Sequence, residues 1–221
     1  MPTVENTYLR YLNKVEKNAT NDNVATNRGR FILLFNESQN KFLELILQQR
    51  GVDDVRYVQN FLVLDKQISY SSITQDHYNF PLPKGYFDLA DVRAKASKED
   101  CQDLLFLYEI QTENLNIVLQ DEYTKPSFEW REAPYTVNSN TVSVYTDRTF
   151  KVDKILLDYY RYPNQISLIN DANPESKFNE SILIEWDDKA LDTIISIAAG
   201  EFDMNQNNPR FQLQKLRTQK Q

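Results

Sequence analysis

Histidine, cysteine and glycine are almost missing from this chain, with one, one and four residues among 221. A single cysteine, Cys101, excludes an internal disulfide and any cysteine cluster for zinc. Nucleophilic catalysis by Cys101 would need a histidine partner. The one histidine, His77, sits in SSITQDHYNFPLPKG, which carries no known catalytic signature. The simpler expectation is that Cys101 packs as a small buried hydrophobe, while His77 caps a loop or packs beside Tyr78 and Phe80. With so few glycines there is no phosphate-cradling loop and no dinucleotide fingerprint, and no metalloprotease helix or calcium-loop pattern occurs. No cofactor and no metal site are expected, and the expected class is not an enzyme.

Long apolar runs are also lacking. FILLF near Phe31 and IISIAA near Ile194 fall far short of the roughly 20 apolar residues a membrane helix needs. The first residues, MPTVENTYLRYLNKVEKN, carry polar groups throughout, so no signal peptide is expected and the chain is expected to fold in a cytoplasm. The three matches to the glycosylation acceptor, beginning at Asn18, Asn36 and Asn179, then read as chance. A formal net charge of −7 argues against a dedicated nucleic-acid binder, which needs a basic face for phosphates.

Against these absences stand 13 tyrosines and 12 phenylalanines, enough for a real core and for aromatic contacts with a partner. Helical spacing predicts one helix from about Pro2 to Lys17, with Tyr8, Leu12 and Val15 on a stripe. A second is predicted from about Asn27 to Arg50. Phe31, Leu34, Phe35, Phe42, Leu45 and Ile46 form its apolar face, and Ser38 and Gln39 interrupt it. A helical turn near Asp53 to Gln59 and an extended piece, FLVLDKQISYSS, follow.

The pattern then turns to strands, with LLFLYEI, TVSVYT and KILLDYYRYP as the clearest and TENLNIVLQDEY as one or two helical turns between strands. The last helix is expected to be capped by Asp187 or Asp188 and to bury Leu191, Ile194, Ile195, Ala198 and Phe202. The expected fold class is α+β: N- and C-terminal helices packed together, with a central β-rich insertion of sandwich or barrel type. The expected boundaries are a helical part at 1–85, a β-rich lobe at 86–165, a second helical part at 166–204 and an extended basic arm at 205–221.

Two charged groups invite chemistry. Glu185, Asp187, Asp188 and Asp192 could bind a divalent cation or act as acid and base, but acidic groups at the positive end of a helix explain them more simply. From Asn205 onward the charged side chains are Arg210, Lys215, Arg217 and Lys220, with no carboxylate among them. They make either a solvated tail or an arm that docks on an acidic neighbour, which another copy of this acidic chain could supply.

In order, the segments RGRFILLFNESQNKFLELIL, FPLPKGYFDLADVRAKASKEDCQDLLFLYEIQTENLNIVLQDEYTKPSFEWREAPYTV, VYTDRTFKVDKILLDYYRYPNQISL and WDDKALDTIISIAAGEFDMNQNNPRFQLQKLR resemble virion proteins of crAss-like, Bacteroides-infecting phages. Proteins of that kind form ring layers between the portal and the tail of short-tailed particles. The resemblance implies a homo-oligomeric ring, twelvefold to match the portal, that touches the portal and other tail or ring proteins. It implies a virion location, and DNA passing through without specific binding. It carries no catalytic residues. Interface residues expected under this reading are Tyr159, Tyr160 and Tyr162 in the aromatic strand, and Arg210, Phe211, Lys215 and Arg217 in the arm. The alternatives are a cargo or scaffold protein of the particle, or a small hydrolase using the Glu185 to Asp192 carboxylates.

Overall fold

A short polar side chain starts each long helix of the computed structural model, which describes residues 2–18, 27–49, 55–74, 76–170, 172–173 and 176–205. Thr3 Oγ1 accepts the backbone N–H of Asn6 at 3.2 Å and opens α1 (Val4–Asn18). Asn27 Oδ1 accepts the N–H of Arg30 at 2.8 Å and opens α2 (Arg28–Gln49). Each cap satisfies a donor that the first helical turn leaves without a partner.

The chain divides into two compact units. Residues 1–60 and 163–221 form the helical unit, and 61–162 form the β unit between them in sequence. The strands thus begin at Leu62 rather than at 86; FLVLDKQISYSS, expected as an extended piece within the helical part, carries β1 of the sheet.

In the helical unit, α1 and α2 both pack on α4 (Asp188–Asn205). Phe31 is the hub. Its ring lies 5.1 Å from Tyr8, 5.1 Å from Tyr11, 5.5 Å from Phe35 and 5.9 Å from Phe178, centroid to centroid. Tilted and edge contacts of this kind add to the burial of large rings. From α4, Leu191, Ile194, Ile195, Ala198 and Phe202 are all buried, the face expected from the sequence.

The second helix departs from expectation at three places. Leu45 is exposed, while Leu43 and Leu47 are buried, so the apolar face turns further round the helix than the counted stripe. Ser38 and Gln39 do not interrupt the buried face but belong to it. The reason for Gln39 is hydrogen bonding: its amide donates to the Asn164 carbonyl at 3.2 Å and its oxygen accepts the indole N–H of Trp186 at 3.2 Å. A buried amide with its donor and acceptor both engaged is tolerated in a core. One turn back, Asn36 donates to the Ile166 carbonyl and accepts the Ile166 N–H, both at 3.0 Å, so side chains of α2 hold the irregular 164–166 segment.

The β unit is one eight-stranded, curled, mixed sheet. Its strands are β1 (Leu62–Ser69), β2 (Ser72–Ile73), β3 (His77–Pro81), β4 (Tyr86–Lys98), β5 (Cys101–Glu109), β6 (Glu132–Asn138), β7 (Thr141–Tyr145) and β8 (Lys151–Arg161). Their order is β1-β8-β4-β5-β6-β7-β3-β2. Near the ends of this order β1 also approaches β3, and the concave side encloses a core that includes Phe80, Val92, Leu105, Val144, Ile155 and Leu157. Bulges in the β4–β8 and β1–β8 pairings supply the curvature. Gly85, at φ +81, turns the chain into β4, where Tyr86 N–H meets the Pro83 carbonyl at 3.1 Å. Among the described residues only β5 and β6 pair in parallel. A parallel pair needs a long crossover, and residues 110–131 supply it, carrying a 3-10 turn (Thr112–Asn114) and the short α3 (Leu115–Gln120).

Candidate functional site

The crossover places more large apolar side chains in solvent than any core demands. Tyr123 is 94% exposed, Trp130 81%, Ile117 68% and Phe106, on the adjoining strand, 61%. Neither the 3-10 turn nor α3 contributes a buried residue, and the crossover's contribution to the sheet's core comes from Phe128, which packs against it with its ring 6.0 Å from Phe150. Single exposed apolar residues are ordinary; four from one crossover and its adjoining strand make this stretch the candidate for a contact surface.

Backbone and side-chain bonds fix this stretch against β5. The N–H of Phe106 donates to the Arg131 carbonyl at 2.8 Å, and the Tyr108 hydroxyl donates to the Thr124 carbonyl. Thr124 in turn donates to the carbonyl of Val118 at 3.3 Å, which ties α3 to the loop that follows it. Asp121 orders that loop by accepting the Tyr123 N–H at 3.0 Å, and Ser127 Oγ accepts the Trp130 N–H at 3.2 Å. Trp130 is followed by Arg131 at φ 59, a conformation that costs a non-glycine residue energy and turns the chain sharply into β6. On the convex side of the sheet, strand register aligns Gln67, Leu156, Arg93, Phe106 and Glu132 in one row across five strands.

The surface is acidic. From 109 to 132 the carboxylates are Glu109, Glu113, Asp121, Glu122, Glu129 and Glu132, against Lys125 and Arg131. Arg131 pairs with Asp103 at 2.8 Å, and Glu129 pairs with Lys98. The hydrogen bond between those two holds the Glu129 carboxyl below its ordinary range and the Lys98 ammonium above its own. Beside the crossover an open groove runs along β6, with Glu109 and Glu113 on one side and Thr136 and Val137 on the other.

The residues expected at an interface fall in three classes. Tyr159 is core: it is buried, with its ring 5.9 Å from that of Tyr86, and presents no surface. Tyr160 is half-buried, and Tyr162 is exposed, with its ring set edge-on to Phe87 at 4.8 Å. Alternation along β8 explains the split, because one side of that strand faces the concave core. Arg210, Phe211, Lys215 and Arg217 lie outside the described residues. The exposed set of the crossover was missed by sequence reading, although EWRE and DEY each place an aromatic among carboxylates in a stretch without strand alternation.

The carboxylates weighed for metal chemistry have other partners. Asp187 Oδ1 accepts the Ala190 N–H at 2.7 Å and is the cap of α4. Asp188 pairs with Arg10 at 3.0 Å, Asp192 lies 3.7 Å from the same guanidinium, and Glu185 accepts the Asn164 N–H at 3.0 Å. Cys101 is exposed rather than buried, at the first position of β5 next to a two-residue turn. His77 bonds Thr74 Oγ1 at 2.9 Å and packs on Tyr145 at 5.1 Å, across the β3–β7 pairing. Among the described residues no helix is long and apolar enough to cross a membrane. No protein-family model matches the chain, and no curated protein matches it significantly.

Proposed function

We propose that this chain is a structural, partner-binding subunit of a phage head-to-tail connector. In this reading it forms a ring layer that joins the capsid portal to the tail and surrounds the path of the DNA. The observation that carries it is the exposed aromatic and aliphatic surface of the crossover, Phe106, Ile117, Tyr123 and Trp130, on a rigidly bonded scaffold. Aromatic side chains on a fixed backbone lose little entropy on association, which suits a permanent protein contact. The resemblance of its segments, taken in order, to virion proteins of crAss-like phages supports this particular assembly. A net charge of −7 suits a wall that must let DNA pass without holding it.

Light scattering on the purified chain, alone and then with the portal protein of the same phage, tests the proposal. A discrete multimer, or a stoichiometric complex formed with the portal, is expected. A monomer under both conditions overturns it.

A further inference from the structure

We infer that the crossover face of one subunit binds residues 206–221 of a second copy. This inference rests on the ring reading above and names the contact that would close the ring. The acceptor is apolar and acidic: Phe106, Ile117, Tyr123 and Trp130 stand in solvent among exposed Glu109, Glu113, Glu122 and Glu132. Among carboxylate-free stretches of this sequence, 206–221 carries the most cations. It carries Arg210, Lys215, Arg217 and Lys220 and no carboxylate side chain, with Phe211, Leu213 and Leu216 interleaved among the cations. Its formal charge of +4 matches the −4 of residues 109–132.

Complementarity of both kinds selects this occupant. Apolar side chains of the segment would cover the aromatic surface while its cations meet the surrounding carboxylates, which steers the encounter and fixes register. A closed ring is built from heterologous contacts, in which one patch of a subunit meets a different patch of the next. A donor segment and an acceptor face on the same chain are the pair such a ring requires. From Asn205, the last residue of α4, to Arg217 the chain spans at most ~40 Å fully extended, enough to reach a neighbouring subunit.

The test is carbodiimide cross-linking of the full-length chain, mixed from heavy-isotope-labelled and unlabelled preparations, with mass measured in parallel. Amides joining Lys215 or Lys220 of one label to Glu113 or Glu122 of the other are expected. Glu109→Lys with Glu132→Lys, which keeps the cross-linked carboxylates in place, should cut that yield about tenfold, and pairing this variant with Arg210→Glu and Arg217→Glu, which keeps both lysines, should restore it. Trp130→Ala, at an exposed position, should lower the yield as well while leaving the melting temperature in place. Cross-links confined to one label would show the segment folding back on its own chain and overturn the inference. A multimer whose cross-links avoid the crossover would overturn it too, yet leave the ring reading standing. A monomer with portal present would remove both.

Discussion

The indole N–H of Trp186 donates to the side-chain oxygen of Gln39 at 3.2 Å, joining the residue before the cap of α4 to the middle of α2. Trp186 is buried and also meets Phe42 edge-on at 5.4 Å, so the ring is held on two sides by the same helix. The Gln39 amide uses its other end on Asn36 and on the carbonyl of Asn164. This one side chain therefore joins α2, the segment that returns from the β unit, and the start of α4.

Gln39→Leu should be among the most damaging polar changes in the helical unit. It keeps the volume but takes the acceptor from the buried Trp186 indole, while the exposed Asn164 carbonyl can turn to water. We expect a loss of about 1–3 kcal/mol in urea unfolding, chiefly from the indole. Trp186→Phe, which removes the donor as well as some ring area, should cost a similar amount. If Gln39→Leu were neutral, the network would be incidental to the packing.

In the β unit, Arg93 answers a local excess of negative charge. Its guanidinium lies 3.0 Å from Asp65, 3.2 Å from Asp91 and 2.9 Å from Asp158, whose side chain is only 13% exposed. Asp65 sits at φ 52 in the β1 bulge, with its N–H 2.6 Å from Asp158 Oδ1. Arg93→Met should leave three carboxylates facing each other and cost about 2 kcal/mol, less than a fully buried pair because Arg93 is partly solvated. Arg93→Lys should recover only part of this, since an ammonium lacks the fork that spans several carboxylates. Urea unfolding of both variants beside the parent would show the order, and equal stabilities for Arg93→Lys and the parent would mean that charge alone suffices.

The elements of this fold were legible wherever one periodicity acted alone. α4 buries the five residues its spacing marks, and β7 puts Val142 and Val144 in the core as alternation requires. Legibility failed where a residue's fate depends on a distant partner. Gln39 reads as a break in a stripe until Trp186 and Asn164 are brought beside it. Tyr159 and Tyr162 have the same chemistry and differ only in which side of the curled sheet they face. The crossover surface was hidden for a related reason: the carboxylates beside Trp130 in EWRE hint at exposure, but the outcome is set only when β5 and β6 pair in parallel across a long connection.

The acidic run at the start of α4 separates two roles that sequence leaves equal. Asp187 is the cap and Asp188 a solvent-facing partner of Arg10. Asp187→Ala should destabilise the helical unit by about 1 kcal/mol through the lost cap. Asp188→Ala should change stability by less than ~0.5 kcal/mol, as exposed ion pairs do. A thermal melt of the two variants side by side distinguishes them, and equal effects would mean that charge near the helix start, rather than the cap bond, is what counts.

Alkaline pH should loosen the β unit before it affects anything else. Burial, with Asp88 and Glu109 nearby, pushes the Tyr86 phenol from 10.0 up to about 12. Burial also raises Tyr135, with Glu109 and Tyr86 adding to the effect. A raised phenol pKa means the folded state holds its proton more tightly than the unfolded chain, so the stabilisation is complete below pH 10 and declines as pH climbs toward 12. Following tyrosinate absorbance together with circular dichroism should show Tyr86 and Tyr135 ionising only as the sheet opens. Tyr86→Phe removes one of these protons from the balance and should flatten the fall in stability across that range. An unchanged slope would mean that Tyr86 ionises within the folded sheet as readily as in water, and that its burial does not resist the charge.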